Sequence, residues 1–151
     1  MDRCKLPIHW VLAALLLCMS SLVSAAPAED KPFAEKKVVL QISDKDSYKQ
    51  TLVLNVASNL IKHYGPDRVE VEIVAFGPGL RLLFAENSNA KRIDNLSGNS
   101  GVRFSACSNT MRKMTQKLGH EPAMNSNATH VSAGVVRILD LVDQGYILVK
   151  P

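Results

Sequence analysis

The sequence predicts an α/β fold, a three-layer α/β/α domain built on a mostly parallel sheet of five strands. Five short segments rich in Val, Ile and Leu alternate with segments whose apolar residues recur at helical spacing. The strand segments are apolar rather than strictly alternating, which is typical of parallel strands covered on both faces. The length of 151 residues fits a single domain.

Each element is placed by its own pattern and by the residues that end it. Gly65 and Pro66 stop the first helix, and Gly145 stops the last one. The strands are expected at 37–43, 69–76, 102–106, around 130–131 and at 146–149. The helices are expected at 46–64, just after the turn at 77–79, and at 90–96, 109–118 and 134–144.

Residues 1–26 have the layout of a secretory signal peptide. Basic residues precede an almost entirely apolar run at 10–23, and small residues follow it. This run is shorter than the roughly 20 residues that a membrane-spanning helix needs. We therefore expect a cleaved signal, a flexible leader at 27–35 and a domain at 36–151. The protein is expected to be periplasmic or secreted, with no stable membrane span after cleavage.

Signal removal leaves Cys107 as the single cysteine, because Cys4 and Cys18 lie in the signal. A lone cysteine in an oxidising compartment is buried and inert, paired with another chain, or a reactive thiol. Cys107 falls at the tip of the third strand, before a helix whose first N–H groups are unpaired and favour a negative charge. This position predicts a lowered thiol pKa, while a small core residue stays an open interpretation. Arg103 shares the strand face but lies at the far end of the strand.

The loops that follow the strands form a second candidate feature. Parallel strands end at one edge of the sheet, so these loops share a rim with Cys107. The turn at 77–79 (GPG) is either a tight turn or a cradle for an anion. Asn55 and Asn59 lie four apart on the first helix, where they serve a subunit contact or the rim, or form a solvated stripe. The supporting or ligand-binding candidates are Ser43, Asn55, Asn59, Gly77, Gly79, Ser108, Asn109, Thr110 and Gly134.

Several classes of function lack support in the sequence. His63, His120 and His130 have no metal-ligand spacing, so no metal is expected, and nothing indicates a cofactor. The net charge of +4 comes from scattered Lys and Arg with few aromatics among them, which disfavours nucleic-acid binding. No Ser-His-Asp order and no paired acids indicate hydrolytic chemistry.

The segment 101–111 (GVRFSACSNTM) resembles the signature of DsrE-like proteins, in the small subgroup with a Cys-x-Asn-Thr turn. Residues 74–80 (VAFGPGL), the two spaced asparagines and the segments at 133–138 and 144–151 are similar too, so the resemblance covers roughly 36–151. It implies flavodoxin-type layering and assembly into homotrimers or homohexamers. In the best understood relatives, a strand-end cysteine carries sulfur as a persulfide between partners in sulfur oxidation or tRNA thiolation. The resemblance implies this role for Cys107, in an exported member of the DsrE/DsrF-like family.

Three functions stay open at this point. The first is sulfur handling, in which Cys107 accepts a sulfane sulfur and hands it on, as a carrier or transferase more than a turnover enzyme. Its partners would be further copies of the chain and a sulfur donor or acceptor protein. The second is a non-catalytic oligomeric module that holds a small anion at the rim through Gly77, Gly79 and helix N-termini. The third is a redox sensor that forms mixed disulfides through Cys107.

Overall fold

The elements of the domain alternate between strands and helices along residues 31–151, the part of the chain that the computed structural model describes. The signal peptide predicted at 1–26 and the first residues of the leader, 27–30, lie outside the described residues. The strands are β1 (Lys36–Ile42), β2 (Val69–Ala75), β3 (Arg103–Cys107), β4 (Ala128–Val131) and β5 (Ile147–Val149). The helices are α1 (Ser47–Tyr64), a 3-10 helix (Gly77–Leu83), α2 (Ala90–Ser100), α3 (Ser108–Leu118) and α4 (Gly134–Asp143).

The five strands form one all-parallel sheet in the order β4-β3-β2-β1-β5. Right-handed crossovers place connections that step in the same direction along a sheet on the same face. The connections from β1 through β4 all step one way, so α1, the 3-10 helix, α2 and α3 cover one face. The return from β4 to β5 places α4 on the other face. The predicted three-layer α/β/α fold is confirmed.

The larger core lies between the sheet and helices α1 to α3. Leu54 and Ala57 of α1 are fully buried there, against Ile73 of β2 and Phe104 of β3. Met111 of α3 and the leucines of the 3-10 helix close the same core. Hydrophobic burial on this face extends over β1, β2 and β3, and it stabilises the layer of three helices.

The face under α4 is built differently, because a single helix covers it. Its apolar part is small and consists of Val39, Val74, Ile138, Leu141 and Tyr146, with Phe76 packed against it. Two carboxylates of β2, Glu70 and Glu72, are buried on this face, 2% and 0% exposed. Buried carboxylates of this kind need cationic and hydrogen-bonding partners.

Glu72 receives those partners from two other elements. Arg137 of α4 donates from Nε and Nη2 to the two carboxylate oxygens, both at 2.7 Å. Arg103 of β3 donates from Nε at 3.1 Å, and the Ser105 hydroxyl donates at 2.6 Å. Burial raises the pKa of Glu72, but the hydrogen bonds from Arg137 and Ser105 and the two guanidinium charges outweigh it, so the pKa lies below its usual value.

Glu70 is held in a similar way at the amino-terminal end of the sheet. Arg103 Nη2 lies 3.4 Å from Glu70 Oε2, and the Tyr146 hydroxyl donates to the same oxygen. Lys37 Nζ lies 3.7 Å from the other oxygen. We refer to Glu70, Glu72, Arg103, Arg137 and Tyr146 as the charged cluster.

Residues 31–35, the described part of the predicted leader, are anchored by Lys31. Its Nζ donates to the carbonyl oxygens of Ser100 at 2.7 Å and Val69 at 3.1 Å, and its N–H donates to Glu70 Oε1 at 3.2 Å. The side chain of Phe33 stays exposed.

Several element boundaries differ from those predicted, mostly by one or two residues, and those of α2 and β3 are the most informative. Helix α2 was expected to end at 96, before Ser97 and Gly98, but it continues to Ser100 because the left-handed residue that ends it is Gly101, with φ +61°. Strand β3 runs one residue further than expected, so Cys107 is its last residue and α3 begins at Ser108. The thiol therefore lies at the junction between strand and helix.

Candidate functional site

The topology itself selects one place on the rim. In an open parallel sheet, a crevice forms where the helices that follow two adjacent strands leave toward opposite faces. Helix α3 follows β3 on one face and α4 follows β4 on the other, so the crevice lies between the carboxyl ends of β3 and β4. Cys107 ends β3 beside Val131 of β4, and Gly134 begins α4. Cys107 thus lies at the topological switch point of the sheet.

Hydrogen-bond donors at the starts of two helices lower the pKa of the Cys107 thiol. The thiol is a free cysteine and is buried, with 4% of the residue exposed. Burial raises its pKa, but the Thr110 hydroxyl and the backbone N–H groups of Gly134, Thr110 and Asn109 all donate toward the sulfur. These donors outweigh burial, and the pKa of Cys107 lies below its ordinary value.

Thr110 is held in place by the loop after β2. The Gly77 N–H donates to Thr110 Oγ1 at 2.9 Å, which occupies a lone pair of the hydroxyl and leaves its hydrogen for the Cys107 sulfur. The chain of donors therefore runs from Gly77 through Thr110 to Cys107. It joins two neighbouring strand ends into one site.

Two glycines allow the rim loops to approach each other closely. A Cβ at Gly79 would lie 2.5 Å from the carbonyl oxygen of Ile42 and 2.8 Å from Ser43 Cα, a clash with backbone that cannot move easily. A Cβ at Gly134 would lie 2.9 Å from a ring carbon of Phe76. Gly79 is therefore required for the packing of the loops after β1 and β2, and Gly134 for the close approach of α4 to the site.

The remaining candidates are placed as follows. Ser108 is half-buried as the first residue of α3, and the side chain of Asn109 is exposed and bonded to Arg112, so Asn109 serves the sulfur through its backbone. Ser43 contributes backbone packing beside Gly79.

Asn55 and Asn59 are not brought to Cys107. Both are exposed on α1, and Asn55 Oδ1 accepts a hydrogen bond of 2.6 Å from Arg92 Nη2 of α2. The interpretation of these residues as a surface stripe fits this placement, and Asn55 links two helices.

A cleft beside the thiol was not anticipated from the sequence. It has a volume of about 610 Å³ and lies between the 3-10 helix and α3. It is lined by Lys45, Phe76, Gly77, Pro78, Arg81, Thr110, Lys113, Met114, Lys117 and Leu118. We call it the basic cleft. The spacing of Lys113 and Lys117 next to Met114 and Leu118 on one helix was the signal for it, since residues four apart share a helix face.

Two further observations concern residues 31–151 only. No group of three or more His, Cys, Asp or Glu side chains in this range could hold a metal ion. None of the helices described there has the length and apolar character to cross a bilayer.

Comparisons with known proteins bear on the fold of the chain and not on its function. No family model and no curated protein matches the chain. A solved structure of a protein of unknown function from Methanobacterium thermoautotrophicum is similar, with a TM-score of 0.69 and 27% sequence identity. The likeness covers 78% of this chain and 100% of that one. The three-layer arrangement is therefore shared across nearly the whole described domain.

Proposed function

We propose that the protein handles sulfur through a persulfide on Cys107. The observation that carries this proposal is the convergence of the Thr110 hydroxyl and of N–H groups from the starts of α3 and α4 on one buried sulfur. Such donors stabilise a thiolate, which is the nucleophilic form of cysteine. The resemblance of 101–111 to DsrE-like proteins points to the same chemistry.

The transfer requires no net oxidant. The Cys107 thiolate attacks the outer sulfur of a donor persulfide, a Cys107–sulfur bond forms, and the donor's sulfur–sulfur bond breaks to release the donor as a thiolate. A second thiolate then attacks the outer sulfur on Cys107 and regenerates the Cys107 thiolate. Because only 4% of Cys107 is exposed, we expect small reagents to reach its sulfur faster than bulky ones.

The test is intact mass spectrometry of the protein after exposure to glutathione persulfide. We expect a gain of one sulfur atom that reductant removes, and no gain in Cys107→Ala, with circular dichroism confirming that the variant is folded. A gain of the whole glutathione moiety instead would identify a mixed-disulfide sensor. The proposal is overturned if the wild type gains no sulfur under conditions in which iodoacetamide alkylates Cys107.

We further propose that the chain assembles with copies of itself, as a homotrimer or homohexamer. Helix α4 exposes four apolar side chains and the edge strand β5 exposes three more, each between 37% and 58% exposed. They are Val135, Val136, Leu139, Val142, Ile147, Leu148 and Val149. Ile147 and Val149 pair with Val38 and Leu40 of the larger core, so they lie on the face opposite to α4, and Leu148 lies on the α4 side. Exposed apolar side chains on a helix face and on an edge strand mark an interaction site in soluble proteins. Since α4 alone covers its face of the sheet, a second copy would complete the layer.

Sedimentation of the wild type and of Leu139→Glu tests this assembly. We expect the wild type to sediment as an oligomer and Leu139→Glu as a monomer, because the glutamate would be desolvated in the interface. Tyr48→Glu is the matched control, since Tyr48 is 73% exposed on α1. A monomeric wild type at micromolar concentration would contradict the proposal.

The proposed site of action is outside the cytoplasm, on the basis of the signal pattern at 1–26. The mass of the protein isolated from an exported fraction should correspond to a chain that begins at Ala26 or Pro27. Recovery of the full-length chain from the cytoplasm alone would contradict export while leaving the chemistry of Cys107 untouched.

A further inference from the structure

The charges that line the basic cleft favour binding of an anion. Four cationic side chains line it, Lys45, Arg81, Lys113 and Lys117, and none of its lining residues is acidic. Within residues 31–151, no salt bridge engages any of these four. Glu86 lies in an adjoining depression that it shares with Lys45 and Arg81, so the excess of positive charge is greatest on the α3 side. Like charges gathered in a concave surface raise the local concentration of anions.

The apolar part of the cleft favours an organic ligand over an inorganic ion. Phe76, Pro78, Met114 and Leu118 form its apolar walls. Sites for small organic molecules are concave, mostly apolar and about 300–1,000 Å³ in volume, with a few polar groups that orient the ligand. At about 610 Å³ the cleft falls within this range. The combination fits a molecule with an apolar body and an anionic group.

The cleft is adjacent to the thiol through two shared residues. Gly77 and Thr110 line it, and the same two residues form the donor chain that ends on the Cys107 sulfur. Cys107 itself is not part of the lining. A ligand in the cleft would therefore lie next to the Thr110 hydroxyl, one hydrogen bond away from the sulfur.

We propose that the basic cleft is a binding site for a small organic anion with an apolar body, placed to present it to Cys107. The cationic side chains of α3, Lys113 and Lys117, bind the anionic group, and the apolar walls bind the body. Resting on the proposed function, the bound species is the low-molecular-weight sulfur donor or acceptor. A carboxylate, a sulfonate or a phosphate meets the same requirement, because all three accept hydrogen bonds from ammonium groups.

Binding is measured by calorimetry in Cys107→Ala, so that no thiol chemistry contributes. The probe is 1-naphthalenesulfonate, compared with uncharged 1-naphthol and with sulfate. We expect K113Q/K117Q to weaken naphthalenesulfonate binding about two- to tenfold, the range for two partly exposed charges, and to leave naphthol unchanged. K62Q/K91Q, two lysines outside the cleft, should change neither, and Leu118→Ser should weaken both aromatic probes.

Three binding results would overturn the inference. The first is equal affinity of naphthalenesulfonate for the wild-type cleft and for K113Q/K117Q. The second is that naphthol binds as tightly as naphthalenesulfonate. The third is that sulfate alone binds as tightly as naphthalenesulfonate. Attachment of the probe to the apolar surface of α4 and β5 would appear as the first of these, because Lys113 and Lys117 lie on α3.

A separate measurement on the wild type tests whether a ligand in the basic cleft lies next to Cys107. Saturating naphthalenesulfonate should slow alkylation of Cys107 by iodoacetamide several-fold, and the probe concentration that gives half of this protection should be about two- to tenfold higher in K113Q/K117Q. Unchanged alkylation with the cleft occupied would overturn the presentation role. Neither measurement involves sulfane sulfur, so both stay readable if Cys107 takes up no sulfur. Where it does, K113Q/K117Q should slow uptake from glutathione persulfide more than uptake from the persulfide of 2-mercaptoethanol, which has no carboxylate. Equal slowing contradicts the assignment of the donor.

Discussion

The two faces of the sheet are stabilised by different forces, although the same strands form both. On β2, Val71 and Ile73 enter the apolar core under α1 to α3, while Glu70 and Glu72 point to the face under α4. The first face relies on hydrophobic burial, which is non-directional and tolerates small adjustments of the helices. The second relies on hydrogen-bonded ion pairs, whose energy depends on the position and orientation of each group.

This difference bears on the site. Arg137 lies one helical turn after Gly134, and its bidentate contact with Glu72 fixes both the height and the rotation of α4 over the sheet. The N–H of Gly134 is one of the donors to the Cys107 sulfur. We infer that the charged cluster contributes less to overall stability than to the placement of α4, as polar groups in cores can do.

The largest expected effect comes from removing one side of the charged cluster. Glu72→Ala leaves the half-buried guanidinium groups of Arg103 and Arg137 without their shared, buried carboxylate, and we expect a loss of about 3–5 kcal/mol in the free energy of unfolding. Denaturation in urea measures it. A loss below about 1 kcal/mol would mean that the two arginines find water or another partner at little cost.

A double variant distinguishes the effect of the ion pair on stability from its effect on the position of α4. Glu72→Met/Arg137→Leu replaces the pair by apolar side chains and should restore much of the lost stability, because the desolvation cost of both charges disappears. If the cluster positions α4, the pKa of Cys107 in this variant should still lie above its wild-type value. Recovery of both stability and thiol pKa would show that the ion pair has no positioning role.

Leu54→Ala probes the opposite face and should cost about 2–5 kcal/mol, the range for deleting a fully buried leucine side chain. Leu54 is 0% exposed in the larger core. In contrast to changes in the charged cluster, this substitution should leave the pKa of Cys107 unchanged, as measured by the pH dependence of alkylation. A shift of the thiol pKa would show that the two faces are coupled through the sheet.

Acid should weaken the α4 face before the apolar face. Burial raises the pKa of Glu70 and of Glu72, but their hydrogen bonds and cationic partners hold the folded-state pKa below the ordinary 4.5. A depressed folded-state pKa adds stability above the unfolded value, and this stability is lost as the pH falls below about 4.5 toward the folded value. Urea midpoints between pH 6 and pH 3 should fall less in Glu72→Met/Arg137→Leu than in the wild type. Equal falls would assign the acid sensitivity to other carboxylates.

The smallest expected effect concerns the thiol alone. Thr110→Val removes a hydroxyl donor to the sulfur, so the pKa of Cys107 should rise toward its ordinary value. Alkylation by iodoacetamide at neutral pH should then be slower than in the wild type, because a smaller fraction of the thiol is ionised. Thr115→Val on the same helix is the control and should react at the wild-type rate.

The sequence was sufficient for the elements and for the position of Cys107, because apolar strands, helix breakers and strand-end loops are local patterns. The order of the strands and the switch point between β3 and β4 depend on pairing between distant segments, which no local pattern records. The partners of Glu72 illustrate the same limit, since Arg103 and Arg137 lie 31 and 65 positions away along the chain. The basic cleft could not be predicted from the sequence, because Lys45, Arg81 and the α3 lysines come together only in the folded domain.

The pairing of β5 with β1 has a consequence for the order in which the molecule is completed during synthesis. Val38 of β1 pairs with Ile147 of β5, so β5 joins the sheet only when both of these distant segments are available. Until then the backbone groups on that edge of β1 lack their strand partner. We therefore expect the sheet to be completed only once β5 has been synthesised.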